Sequence, residues 1–283
     1  MTTTRATTLL LILVLSIFPV TFAESSGEVS HLRFHWEGTF TDSEQRKLRL
    51  WIEETHGALE ALVGVLPFEL HVHFHRRDGA REPVPWAHTR RSRRQSVHFY
   101  VDPKFSSDAL RRDWTASHEL SHLVLPYLGS EHIWFAEGFA SYMQYQVMQS
   151  AGILSASEVE QSYRRKIERA ERSYSYAGKP FTQAAAALRT EGNYPTLYWG
   201  GAIYFLRVDR ALQISSGKSL IKVLGEYLAR CRQRQSDLAQ LIGELDQLAS
   251  ADVFSHHLRK FQTKKGLPRY RDVQPGPTPF HPD

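Results

Sequence analysis

The chain has 283 residues, 42% hydrophobic and 23% charged, with 17 Gly and 13 Pro, fractions that exclude collagen-like, low-complexity and wholly disordered chains. A formal charge of +5 is too small to assign a nucleic-acid partner, and none is expected. The single cysteine, Cys231, excludes an internal disulfide and a cysteine-based metal site, so any metal must be held by nitrogen and oxygen.

The N-terminus reads as an export signal over 1–23. Arg5 is the only charge before Glu24, Leu9 to Val20 is almost wholly apolar, and Thr21-Phe22-Ala23 offers a small-x-small cleavage site. An apolar run of that length is short for a membrane span. The expectation is an exported soluble protein, periplasmic or secreted, with no transmembrane span after cleavage; an uncleaved N-terminal anchor is the alternative. One domain is expected over 24–265, sheet-rich over 28–105 and helical over 106–265, followed by a flexible Pro-rich tail at 266–283.

Within the sheet-rich part, Leu32, Phe34 and Trp36 alternate with His31, Arg33 and His35, the period-2 pattern of a half-buried strand. An amphipathic helix follows over 42–63, with Gly64 just beyond. Phe68, Leu70, Val72 and Phe74 alternate with Glu69, His71, His73 and His75 in a second strand, and Val97, Phe99 and Val101 form a third. Between them Arg76 to Arg94, rich in Gly, Pro and Arg, reads as a long exposed loop. Helices are predicted at 107–125, 133–150, 156–173, 195–215, 218–232, 236–249 and 251–262. Strands first and helices after give an α+β class: a small mixed sheet with one helix, then a mostly helical half.

The strongest chemical signal is His118-Glu119-Leu120-Ser121-His122, an H-E-x-x-H on the predicted 107–125 helix. A spacing of four puts both imidazoles on one face, able to share a metal ion, with Glu119 beside them as a base that is not a ligand. The next helix carries Trp134-Phe135-Ala136-Glu137-Gly138, an acid in an apolar segment where an unpaired carboxylate is costly. The short connection from Pro126 to His132 predicts antiparallel packing that brings Glu137 to His118 and His122 as a third ligand. Glu131 and His132 are its competitors for that place. Three protein ligands plus water is the arrangement of a catalytic zinc site.

H-E-L-S-H followed by W-F-A-E-G-F-A-S-Y resembles the zinc site of gluzincin metallopeptidases. Tyr198-Trp199-Gly200-Gly201-Ala202, running into Leu206-Arg207-Val208-Asp209 and then Ser219-Leu220, is similar to the glycyl aminopeptidase family within that group. The resemblance covers roughly 107–262 and implies a zincin-like catalytic domain. It implies one Zn2+ per chain on His118, His122 and Glu137, Glu119 as general base and proton donor, and Tyr198 steadying the oxyanion during peptide hydrolysis. Tyr194 is the alternative for the last role. The chain departs from the aminopeptidase pattern in having no Gly-x-Met-Glu-Asn or Gly-Gly-x-Glu-His strand before His118. Residues 95–103 stand where that strand is expected, and whether cleavage is internal or N-terminal stays open. Gly200 also stands where many relatives carry a basic residue. Metzincins are excluded, since their third histidine would fall on Leu128.

Two weaker features have two readings each. His71, His73 and His75, joined by His35 and His98, are either the polar side of a half-covered sheet or a second metal site. Arg90-Arg91-Ser92-Arg93-Arg94 is either a solvated loop or a contact to an anionic envelope surface or acidic substrate. The competing function is a non-catalytic zinc-containing cell-envelope scaffold, in which the metal is only structural.

Overall fold

The computed structural model describes residues 31–233 and 235–269. The export signal proposed for 1–23 and most of the proposed tail lie outside these. Four strands form one sheet in the order β1-β2-β4-β3: β1 (Leu32–Glu37), β2 (Leu70–Arg76), β3 (Trp86–Arg91) and β4 (Gln95–Val101). The β1–β2 and β2–β4 pairs are parallel and β3–β4 is antiparallel, so the mixed sheet is as expected. Helix α1 (Asp42–Val63) makes the crossover between β1 and β2. It starts at a capping box of Thr41 and Glu44 and stops at Gly64, whose φ of 87° suits only glycine.

Leu70, Val72 and Phe74 of β2 and Val97, Phe99 and Val101 of β4 face inward and are fully buried. Trp51 of α1 packs on Phe74 and Phe99, its ring centroid 6.4 and 5.3 Å from theirs. The alternate residues, histidines for the most part, line the other face.

The segment read as a long loop contains β3. Its sequence, Trp-Ala-His-Thr-Arg-Arg, has no alternation of apolar and polar residues, because an edge strand with half-exposed sides needs none. The helix predicted over 107–125 is two helices, α2 (Ser107–Arg112) and α3 (Thr115–Ser121). Asp113 breaks it: its backbone turns extended, and its carboxylate accepts the Thr115 amide at 2.8 Å.

Next come α4 (Ile133–Ser150), α5 (Ala156–Ser173), α6 (Phe181–Thr190), α7 (Tyr194–Ser216), α8 (Leu220–Arg230), α9 (Leu238–Ala249) and α10 (Val253–Thr263). All but α6 match predicted helices within about two residues. Four consecutive alanines in α6 give a weak hydrophobic signal, yet Phe181, Ala184, Ala185 and Leu188 are buried. Asp209, part of the motif in α7, caps the next helix: its Oδ1 accepts the Leu220 amide at 2.7 Å. No helix among the described residues is long and apolar enough to cross a membrane.

Helices α4 and α7 cross backbone to backbone at Gly138 and Gly201. A Cβ on Gly138 would lie 2.6 Å from Gly201 Cα, and one on Gly201 would lie 2.9 Å from Gly138 Cα. The glycine pair therefore sets the spacing between the helix that carries Glu137 and the helix that carries Tyr198. Gly200 is explained by α6, since a Cβ there would lie 2.5 Å from the Phe181 ring.

Candidate metal centre

His118 lies in the last turn of α3 and His122 is its C-terminal cap, so the two imidazoles leave the helix on one side, as the spacing requires. Glu137 comes from the first turns of α4. Its Oε2 lies 3.1 Å from His118 Nε2 and 3.6 Å from His122 Nε2. These three residues each place a ligand atom within 4.8 Å of the other two, and no other group of three among the described residues does so. Edges of 3.1 and 3.6 Å bracket the separation of about 3.3 Å between tetrahedral ligands at zinc distances of about 2.0–2.1 Å. Burial disfavours charge on Glu137, but His122 and His118 outweigh it and hold the carboxyl well below its ordinary range. The donor set thus suits a divalent ion. Glu131 is exposed, its carboxylate folded back over Gly129, and neither it nor His132 belongs to the group.

His118 is oriented from behind. Its Nδ1 lies 3.0 Å from Oε1 of Gln144, and both side chains are only 3% exposed. An amide oxygen can only accept, so Nδ1 donates to Gln144, which leaves Nε2, 3.1 Å from Glu137 Oε2, as the nitrogen available to an ion. Gln144 is two turns beyond Glu137 on the same face of α4. A spacing of seven residues fixes that shared face, whereas no sequence pattern marks the pairing with His118.

Glu119 is held by β3. Thr89 Oγ1 lies 2.8 Å from both Glu119 Oε2 and the Glu119 carbonyl oxygen. The strand beside α3 is therefore 86–91 rather than 95–103, which forms β4 one place further into the sheet. No acidic residue occurs in β3, so the strand offers no carboxylate for a substrate's α-amine. Arg91 turns in from the same strand. It donates to the His122 carbonyl at 3.1 Å and lies over the Tyr127 ring at 5.6 Å. Arg232 donates to the neighbouring Leu123 carbonyl at 2.9 Å. Two guanidinium groups thus satisfy carbonyls at the C-terminal end of α3. One member of the Arg90–Arg94 run is part of the scaffold around the site, whereas Arg90, Arg93 and Arg94 are exposed.

The Tyr198 ring stacks on His118 with centroids 5.8 Å apart. Burial, then the Glu137 and Glu119 carboxylates, push its hydroxyl well above the ordinary tyrosine range, so it stays a proton donor. Tyr194, one turn earlier and 47% exposed, meets Tyr198 at a tilt rather than the histidine. A cleft of about 200 Å³ opens beside Tyr198, walled by Trp114, Tyr194 and Trp199, with Lys166 and Arg169 at its rim.

The family model of M61 glycyl aminopeptidase matches residues 127–203, a span that holds Glu137 and Tyr198 and begins just after the H-E-x-x-H. The fold is similar to an aminopeptidase N family protein from Idiomarina loihiensis, with a TM-score of 0.63 and 17% identity over 83% of this chain and 45% of that one. It is similar also to a two-domain M1 zinc metallopeptidase mutant bound to L-arginine (TM-score 0.54, 15% identity, 84% of this chain and 49% of that one). An M1 zinc metallopeptidase from Deinococcus radiodurans gives a TM-score of 0.50 at 18% identity, over 84% of this chain and 48% of that one.

The chain has the fold of these zinc metallopeptidase structures.

The resemblance read from the two motifs is thereby borne out, as is the α+β class. No curated protein sequence matches the chain. The chain spans about half the length of the gluzincin structures it resembles.

Proposed function

We propose that the chain is an exported zinc-dependent peptidase with one Zn2+ on His118, His122 and Glu137. The observation that carries this is the convergence of those three ligand atoms, with His118 oriented from behind by Gln144. Zinc in such a site supplies Lewis acidity toward water and toward a scissile carbonyl.

The remaining steps belong to this chain's own residues. Glu119, kept in place by Thr89, takes a proton from the attacking water and passes it to the leaving amine. Tyr198 donates its hydroxyl hydrogen to the oxygen of the tetrahedral carbon, where charge develops. Arg91 and Arg232 fix the end of α3 so that His122 keeps its direction. The aromatic cleft beside Tyr198, with Lys166 and Arg169 at its rim, suits a peptide side chain that ends in a carboxylate. The apolar run and cleavage motif before Glu24 support export to the periplasm or beyond.

The test is a peptide-library digest with zinc-loaded protein, beside Glu119→Gln and Tyr198→Phe at equal zinc content. Cleavage that falls by at least 10³-fold in the first variant and about 10–10³-fold in the second is expected. No cleavage by the wild-type chain, or undiminished cleavage by Glu119→Gln, would overturn the proposal.

A further inference from the structure

The face of the sheet turned away from the core carries a row of imidazoles that the site described above does not use. His35, His73, His98 and His88 sit directly opposite one another across all four strands. Their rings stack at centroid separations of 4.3, 4.3 and 4.7 Å, with interplanar angles of 12°, 9° and 3°. His71 and His75 flank the row on β2, two residues to either side of His73. Six histidines on one sheet face exceed what a solvated surface needs.

Two pairs in this array have the arrangement of metal ligands. His35 Nε2 lies 2.9 Å from His71 Nδ1, and the other nitrogen of His71 lies 3.3 Å from a Glu69 carboxylate oxygen. His75 Nε2 lies 3.1 Å from His98 Nδ1, and the other nitrogen of His98 lies 3.3 Å from Ser96 Oγ. In each pair two nitrogens face each other while a polar group behind one ring fixes its direction, the habit of metal-bound histidine. Ligands about 2.0 Å from an ion are about 2.8 Å apart when cis in a square plane and about 3.3 Å apart in a tetrahedron. The observed separations fall in that interval.

We propose that this face is a second metal-binding surface, in which the pairs His35–His71 and His75–His98 each chelate one divalent first-row transition ion of the Cu2+ class. In each pair the ion takes the place of the shared proton, which moves by way of solvent to the far nitrogen of the ring that carried it, so both rings stay neutral, and a small rotation of the rings aims both nitrogens at one centre. Water completes the coordination. Burial holds His35, His73, His75 and His98 below the ordinary histidine range, helped by neighbouring imidazoles at His35, His73 and His98 and by Arg77 and Arg90 at His75, with His98 at about 3. Neutral rings keep their lone pairs for a metal at pH 7.

The test uses Cu2+ as the probe on the full chain at pH 7.4, with electron paramagnetic resonance reading both the bound equivalents and the nitrogen hyperfine pattern. The wild type is expected to bind two equivalents with two-nitrogen imidazole spectra besides the one at His118 and His122. Both should persist in His122→Gln, which disables the first site. His35→Gln and His75→Gln should each remove one equivalent or weaken it at least tenfold, with unchanged far-ultraviolet circular dichroism. His256→Gln, an exposed control, should change nothing. No equivalents beyond the first site would overturn the proposal. So would equivalents that survive in both pair variants, since those ions would be adventitious.

Discussion

Replacing Gln144 by Leu tests how the metal centre is built. Leucine has nearly the volume of glutamine but no acceptor, so the buried His118 Nδ1–H loses its partner at 3.0 Å. An unsatisfied buried donor costs about 1–3 kcal/mol. His118 escapes that cost only by moving its proton to Nε2, the atom required for the ion. Either route charges about 1–3 kcal/mol against zinc binding, a rise of about 5- to 150-fold in Kd, in line with the 10–100-fold typical of such partners. Competition with a chromophoric chelator at pH 7.5 measures this directly, with the thermal midpoint of the metal-free chain followed in parallel. Gln144→Glu keeps an acceptor and should bind zinc at least as tightly as wild type. A Gln144→Leu protein within twofold of wild-type affinity would refute the reasoning.

Gly138→Ala forces a Cβ to within 2.6 Å of Gly201 Cα, a backbone atom that cannot step aside. Overpacking of this kind costs about 1–3 kcal/mol, which should lower the thermal midpoint by about 2–12 °C. Gly243→Ala, in α9 with no atom within 4 Å, should hold or raise the midpoint in the same assay. Histidines of the outer face that stay neutral in the folded chain take up protons near pH 6.5 once it unfolds. The unfolded chain therefore binds more protons below that pH, and stability should fall as pH drops from about 6.5 toward 4. His98→Gln should flatten that slope in thermal scans across pH; an equal slope would count against the ring assignment. Exchanging Lys166 and Arg169 together for Gln should cut any preference for acidic over neutral peptides about threefold or more at low salt, and less at 0.5 M salt.

The metal centre was legible because its information is local. The spacing of His118 and His122 fixes a helix face, and an acid among aromatic residues in the next helix has to meet something. What escaped depends on contacts between distant segments. Thr89 and Arg91 stand in an edge strand whose two sides are both half-wet, so no period marks it, and their partners lie some 30 residues away. Gln144 meets His118 across two helices. The break at Asp113 is a side chain competing with the helix for one amide, a choice that apolar periodicity does not record. The close approach of Gly138 to Gly201 likewise joins two distant helices, and the second glycine lies within the second motif.

The most direct test of the central claim is zinc content per chain, by elemental analysis after dialysis against a weak chelator, for wild type, His122→Ala, Glu137→Ala and His132→Ala. The account predicts about one zinc in the wild type and in His132→Ala, and loss in the other two. Full zinc in Glu137→Ala together with loss in His132→Ala would contradict the assigned ligand set, and no zinc in the wild type would contradict the metal centre itself.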